Sequence, residues 1–476
     1  MSDTPHLATG DRETPTIEPP EPVGGLDDAT SRREIHDVWV AGTEEQEWVR
    51  AATDEGAQEM LPEAQDAAAT IQRGTAVDDD YIGEGGADED QRQILNMGPQ
   101  HPSTHGVLRL HLEIEGETIR RVKPIIGYLH TGMEKTAETL SYMQGATNVT
   151  RMDYLSPFHN ELAYSLAVEQ LLDVEIPTRA QAIRILMTEL NRVASHLLWV
   201  ATQGMDIGAV SMMLFGWQDR ETCLEFFEKV TGLRMNHNYI RPGGVAADLH
   251  DGWEDDIEDL LVRVSAGIDR DEAILNKNPI FLDRTRGIGV ITPEECRQYG
   301  VSGPIARGSG IAHDLRKVFP YSGIEQYDFD VPVGKHGDVL DRYLVRIEEM
   351  RQSLRIVEQI LNTMPAGDFR TDDRKVTPPP RQRIDESMEA LIHHFKLFTE
   401  GFRVPAGEAY QGVESPRGHL GVYIVSQGGA RPWRLHVRAP SFAAVQAMPV
   451  MMTDLLVADL VATLASADPV LGDVDR

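Results

Sequence analysis

The sequence predicts a helix-rich α+β fold, with a central helix bundle and antiparallel β-hairpins at its ends. Two apolar series recur at steps of three and four residues. One runs through Ile183, Leu186, Met187, Leu190, Val193, Ala194, Leu197 and Leu198, the other through Leu340, Tyr343, Ile347, Met350, Leu354, Val357 and Leu361. Alternation of apolar and polar residues, the mark of strands, is confined to short stretches around 108–122 and 422–437.

In chain order, residues 1–90 read as an acidic, largely disordered extension, with a short strand at Val38–Val40 and a helix from Thr43. Residues 91–476 are expected to form one core domain. Leu108 to Glu115 alternates, Gly116 turns the chain and Thr118 to Val122 returns it, so a hairpin is expected. Gly98-Pro99 and His101-Pro102 impose turned or extended backbone just before it, which places His101 and His105 on a loop at the strand edge. Pro177 opens the first long helix; Gly204 and Gly208 end it and leave Asp206 at its terminus. A second helix is expected from Ser211 to Val230, stopped by Gly232. A Pro/Gly turn over 236–244 follows, then a helix to about Asn276. Residues 277–335 read as irregular with short strands. The 340–361 series has the narrow seam of a bundle helix. Thr377 and Pro378–Pro380 form a rigid connector, and Met388–Phe398 a further helix. Strands are expected around 422–425 and 433–437, then one final helix over 442–464.

Net charge is −31 and unevenly spread: residues 1–90 hold 24 acidic and 5 basic residues, −19 in all, which leaves −12 for the rest. Such acidity argues against nucleic-acid binding and against direct adsorption to anionic lipid. No apolar run approaches the ~18 residues that span a bilayer, and no basic-then-apolar leader is seen at the N-terminus. The two cysteines, Cys223 and Cys296, are far apart, so a cysteine-held zinc or iron–sulfur site within the chain is not expected. Cys223 reads as a buried thiol. GxGxxG, GxxxxGK[ST] and GxSxG are all absent, and no dedicated nucleotide site is inferred.

Two polar clusters stand out, Asn96 to Gly106 and Thr150 to Tyr154. His101 and His105 have a spacing that would place two ligands on one helix face, but Pro102 and the flanking Gly98, Pro99 and Gly106 oppose a helix there. Both histidines could equally cap a turn. Asp153-Tyr154 could be a helix start beside a core tyrosine, Asp206 a helix terminus, and Arg151 a partner for any nearby carboxylate. His196, beside the apolar stripe, reads as a core histidine, and Met448, Met451 and Met452 as packing. His393-His394 suggests no metal set.

Several longer motifs together resemble a known family. They are Asn96–Leu110, Gly127–Lys135, Arg151–Tyr154, Tyr239–Gly244, Glu414–Gly418, Arg438–Phe442 and Asp468–Arg476, collinear over 91–476. The chain is identified by this resemblance as a member of the 49-kDa-type (D-type) family of respiratory complex I subunits. Complex I is the proton-pumping NADH:quinone oxidoreductase. The family is related to the large subunit of nickel–iron hydrogenases, which implies a hydrogenase-large-subunit-like fold.

That relationship maps the hydrogenase's four thiolate ligands onto Asp153, Ser156, Val470 and Asp473. With the soft ligands gone, no nickel–iron site can assemble and the old metal cavity is expected to be free for a quinone head group. The resemblance further implies Tyr154 and His105 as head-group contacts, with Asp206 as the partner of His105. His101, Pro102, Ser103, Thr104 and Gly106 would line the loop; Arg151, Asn236 and His237 would lie near a partner's terminal cluster. Many members have histidine where Asn236 stands, so pH-dependent charge at that position is in doubt.

No cofactor is expected on this chain. FMN and iron–sulfur clusters would sit on other subunits, quinone would be the substrate, and the assembly would lie peripherally on the cytoplasmic face of the cell membrane. Expected partners are the small cluster-bearing subunit, the C-type subunit and the quinone-channel membrane subunit of complex I. Two other readings remain, a non-catalytic docking scaffold and a component of a related membrane-bound hydrogenase-like complex.

Overall fold

The computed structural model describes residues 92–101, 104 and 106–476. The expected Val38–Val40 strand, the helix from Thr43 and the acidic extension lie outside the described residues, as do Pro102, Ser103 and His105. All described residues fall within one compact unit, Asp90–Arg476.

Strands β1 (Arg92–Met97), β2 (Arg109–Glu115) and β3 (Thr118–Ile125) form an antiparallel meander in that order. The inward residues Leu110, Leu112, Ile119 and Val122 are buried, as the alternation requires. Helices α1 (Tyr142–Val149) and α2 (Pro157–Leu172) flank a tight turn. Then come α3 (Thr178–Asp206) and α4 (Val210–Thr231), the long antiparallel pair of the bundle.

Helix α3 starts after Pro177 as expected and runs through Gly204 to Asp206. Gly204 does not break it. Its missing side chain makes room for Met212, whose Cβ would lie 2.6 Å from any Cβ at 204. Gly216 plays the same part lower down, facing Ala201 Cβ and Leu197 O, each 2.8 Å from a hypothetical Cβ. Gly232 in the left-handed region (φ 78°) caps α4.

A two-stranded ribbon, β4 (Ile240–Arg241) and β5 (Gly244–Val245), leads to α5 (Trp253–Leu275). The region 277–335 holds four short α-helices and one 3-10 turn among the described residues, not the expected strands: Pro279–Asp283, Pro293–Gln298, Gly303–Gly308 and Leu315–Val318, then Ile324–Gln326. Their start signals are local. Asn278, Thr292 and Asp314 each cap a first turn through the side chain, Thr292 with Glu295 in a reciprocal capping box, and Pro279 and Pro293 take the first helical position. The seam helix α6 (Val339–Thr363) then crosses α3, and α7 (Met388–Thr399) follows the proline connector.

A second meander, β6 (Gly407–Ser415), β7 (Gly418–Ser426) and β8 (Arg434–Arg438), packs on α2. The expected final helix is two, α8 (Pro440–Met452) and α9 (Val457–Ala467), followed by a terminal turn α10 (Leu471–Asp475). The break has a cause. Residues 453–457 bond the β2–β3 hairpin: Asp454 N donates to Ile119 O (2.7 Å), Ile119 N to Leu455 O (2.8 Å) and Val457 N to Glu117 O (3.0 Å).

Cys223 is a fully buried thiol, and Met448, Met451 and Met452 pack in the smaller core under the first meander. His196 is a buried core histidine whose Nε2 lies 2.9 Å from Glu349 Oε2, while its Nδ1 has no partner among the described residues. Among the described residues no helix is long and apolar enough to cross a membrane.

Because Gly216 sets the approach of α3 and α4, Gly216→Leu should wedge them apart. The expected loss is about 1–3 kcal/mol of stability, read as a lowered thermal midpoint of the folded chain.

Candidate functional site

The turn between α1 and α2 is pinned from three sides. Glu161 of α2 accepts from Thr150 Oγ1 (2.9 Å) and from the backbone N–H of Asn238 (2.6 Å), Tyr239 (2.9 Å) and Ile240 (2.9 Å), so one buried carboxylate ties this turn to the loop before β4. Burial pushes Glu161 up to about 7, against the pull of those donors. Asn191 of α3 donates to Leu155 O at 3.0 Å. Asp153 closes the turn on itself, accepting from the N–H of Leu155 (3.1 Å) and Ser156 (3.2 Å) and from the Ser156 hydroxyl.

The four positions that the resemblance assigns to lost thiolates lie close together and are buried, and an arginine stands among them. Arg417, from the β6–β7 turn, donates through Nη1 to Asp153 Oδ2 (3.0 Å) and Ser195 Oγ (3.1 Å). Its Nη2 lies 3.2 Å from Asp468 Oδ2, an ion pair off hydrogen-bond alignment. Asp473 Oδ2 accepts from Ser441 N (3.1 Å), and Val470 N donates to Ser441 Oγ (3.4 Å). Three carboxylates thus face one guanidinium. Burial and then the charge of Asp153 push Asp473 up to about 6. Arg417 thus places a buried positive charge among these positions, held by hydrogen bonds and an ion pair.

Tyr154 projects from the same turn. Its ring lies against Gly472, where a Cβ would sit 3.4 Å from the ring and 2.4 Å from Met152 O, so only glycine lets α10 approach this closely. Among the described residues the Tyr154 hydroxyl has no hydrogen-bond partner, and burial, then Asp153, raises its pKa. At neutral pH it is a protonated phenol with a free donor.

The β1–β2 loop carries the other cluster. Gly98 adopts φ 81°, and a Cβ there would meet Leu108 O at 2.1 Å. Thr104 is fully buried. Its hydroxyl bonds the carbonyls of His101 (3.0 Å) and Pro99 (3.2 Å), so it shapes the loop and does not face outward. His101 is half-buried and Gly106 exposed at φ 82°.

Asp206 ends α3 eleven residues past Ser195, about 16 Å along the helix axis. It lies about three helical turns beyond the helix's contact with Arg417, and burial pushes it up to about 6. Arg151 is exposed in the pinned turn. Asn236 adopts φ 55°. His237 is buried, stacked on Phe158 at 4.0 Å between ring centroids, and pushed down to about 4.

The structure therefore gathers Asp153, Tyr154, Ser156, Val470 and Asp473 around Arg417, Ser441 and Gly472, and ties the loop that carries Asn236 and His237 to the same turn through Glu161 and the stacking of His237 on Phe158. Arg417 and Asp468 lie within the motifs Glu414–Gly418 and Asp468–Arg476, but nothing in those motifs assigns either a role, and no local pattern marks Glu161 or Ser195. Among the described residues, no three His, Cys, Asp or Glu side chains are grouped to hold a metal ion.

Fold and site define a helix-rich α+β protein with a buried charge cluster at the α1–α2 turn, and comparison with known proteins gives its family. The family described as "Respiratory-chain NADH dehydrogenase, 49 Kd subunit" matches residues 206–476. The chain is 52% identical over 405 residues to the first D-type subunit of the NADH-quinone oxidoreductase of Salinispora tropica, an alignment covering 81% of this chain and 92% of that one. It is 52% identical over 389 residues to the second D-type subunit of the Chloroflexus aurantiacus enzyme, covering 81% and 95%. With the D-type subunit of the Mycobacteroides abscessus enzyme it shares 50% over 416 residues, covering 84% and 96%. The chain belongs to this 49-kDa-subunit family.

Two outcomes follow from the cluster. Arg417→Leu leaves buried anions uncompensated and should cost about 3–5 kcal/mol, read as loss of the folded chain in thermal or denaturant unfolding. Asp473 has a folded pKa above its unfolded value, so its contribution to stability is present at low pH and lost as pH rises from about 4 to about 6. Asp473→Asn should therefore raise the thermal midpoint at pH 8, and the gain should vanish as pH falls to 4.

Proposed function

We propose that this chain is the quinone-site subunit of a proton-translocating NADH:quinone oxidoreductase, and that Tyr154 is a hydrogen-bond and proton donor to the quinone head group. One observation carries the residue assignment: a protonated phenol without an internal partner, held on a turn that Asp153, Glu161 and Arg417 immobilise. Family membership supplies the reaction class, since the relatives are named as subunits of NADH-quinone oxidoreductase.

Reduction of a quinone to a quinol takes up two electrons and two protons, one proton on each carbonyl oxygen. In this reading the electrons arrive through FMN and iron–sulfur clusters of other subunits, the last of them on the small subunit. This chain, whose two cysteines are buried and separate, handles protons and orientation. Tyr154 serves one oxygen. His105, on the β1–β2 loop, serves the other as an imidazolium, with Asp206 as its acidic partner. A carboxyl pushed up to about 6 sits close enough to neutrality to exchange a proton with an imidazole. Loss of the imidazole's proton to substrate would disturb that pair and pass a charge change toward membrane-embedded partners. His101, Pro102, Ser103, Thr104 and Gly106 would belong to the loop side of the quinone site and Arg151 to the side of the partner's terminal cluster, with the C-type subunit and the quinone-channel membrane subunit alongside. The assembly would then lie on the cytoplasmic face of the membrane.

On the side facing the partner's terminal cluster, Asn236 has no titratable group and His237 is held neutral by burial. The midpoint potential of that cluster should vary between pH 6 and 8 by far less than the ~59 mV per unit of a one-proton, one-electron couple. A redox titration of the assembled complex checks this, and Asn236→His should steepen the slope.

The main test is Tyr154→Phe in the assembled complex. Quinone reductase activity should fall at least tenfold while NADH oxidation with a flavin-level artificial acceptor persists. Equal loss of both activities in an intact assembly would remove Tyr154 from the site.

A further inference from the structure

Helix α7 leaves an apolar face uncovered along its whole length. Met388, Leu391, Ile392 and Phe395 recur at the spacing of one helical face, and Phe398 continues it one turn on. They are 77%, 50%, 50%, 64% and 40% exposed, and Leu397 is the only buried residue of the helix. A contiguous apolar face of this kind marks an interaction site on a soluble surface.

Beside it lies a cleft of about 980 Å³, walled by the Pro378–Pro380 connector, α7 and the segment after it. Six cations line the cleft: Arg370, Arg374, Lys375, Arg383, Lys396 and Arg403. None of them has a carboxylate within 4 Å among the described residues, although four acids, Asp368, Asp372, Glu389 and Glu400, share the same walls. In a chain with 76 acidic and 45 basic residues, six such cations around one concavity are a marked local excess. The floor is fixed, because Val245 N donates to Phe369 O (3.1 Å) and Thr371 N to Gly243 O (2.7 Å).

We infer that the α7 face and this cleft together form the docking surface for a neighbouring protein subunit of the assembly. That neighbour would present an apolar patch to α7 and acidic side chains to the cleft. The apolar face supplies buried area, and carboxylates entering the cleft supply register and orientation. A second copy of this chain fits poorly, since a two-fold contact would set the same basic cleft against itself. An anionic bilayer fits poorly as well. Five of the six cations lie off α7 in the walls of a concavity, and only Lys396 borders the apolar face, unlike the flanking rows of cations on a helix lying in a membrane surface. The inference rests on membership of a multisubunit family and is independent of the quinone reading.

A photo-cross-linking residue at Phe395, and separately at Leu391, in the assembled complex reads the occupant directly. The expected product joins this chain to a net-acidic segment of another subunit. Products with a second copy of this chain, with lipid alone, or with no protein in an intact complex would each overturn the proposal. Independently, combined Arg374→Glu, Arg383→Glu and Lys396→Glu should lower retention of the chain in the complex by about tenfold at moderate salt. Retention unchanged by that reversal would also overturn it. The cross-link leaves the cleft charges intact, so it decides the matter even where the triple variant misfolds.

Discussion

One guanidinium organises the buried polar cluster of this chain. Arg417 reaches from the β6–β7 turn to Asp153, which lies 264 residues earlier, to Ser195 on α3 and to Asp468 after α9. Four separate segments are thereby locked into one buried cluster. A buried arginine facing several carboxylates is costly to assemble and costlier to break, since removing it strands the anions. Its value here is positional: it holds the turn that carries Tyr154 at the surface of the cluster.

The arginine is itself held by its surroundings. Glu414, three residues before it, pairs with Arg307 at 2.7 Å, and Arg307 also meets Glu349 on α6 at 2.7 Å. Arg316 bonds Glu189 on α3 (2.9 Å) and Asp314 (2.7 Å). Arg192 closes the set by donating to Glu414 O at 2.6 Å. The bundle is therefore keyed by paired charges as well as by apolar packing, and Glu414 and Arg417 link this network to the site. Polar networks of this kind specify one arrangement of helices because a shifted register would leave several charges unpaired.

Much of the scaffold was legible in the sequence. The 3/4 periodicity of 183–198 and 340–361 reports a face buried against other helices, and that pattern survives without any knowledge of the partner element. Gly232 could be read as a stop because a left-handed cap favours glycine. What failed did so for identifiable reasons. Gly204 has the composition of a breaker, whereas its role is to admit Met212. The 442–464 run looked continuous because its composition is helical throughout, yet pairing with the distant β2–β3 hairpin splits it at 453–456. Residues 277–335 hid their helices because each is one or two turns long, too short for periodicity, although the caps at Asn278, Thr292 and Asp314 were visible.

The site was legible in part. Tyr154 and Asp153 could be singled out from a local motif, and the resemblance pointed to Ser156, Val470 and Asp473 as their neighbours. Arg417 could not be assigned, because its partners are brought to it only by the fold. The most direct measurement of the account is a density map of the assembled complex with quinone or a head-group-competitive inhibitor bound. It should show a head-group oxygen about 2.7 Å from the Tyr154 hydroxyl, with Arg417 still paired to Asp153. A head group seated between Asp153 and Asp473 with Arg417 displaced, or one bound away from Tyr154 altogether, would contradict it.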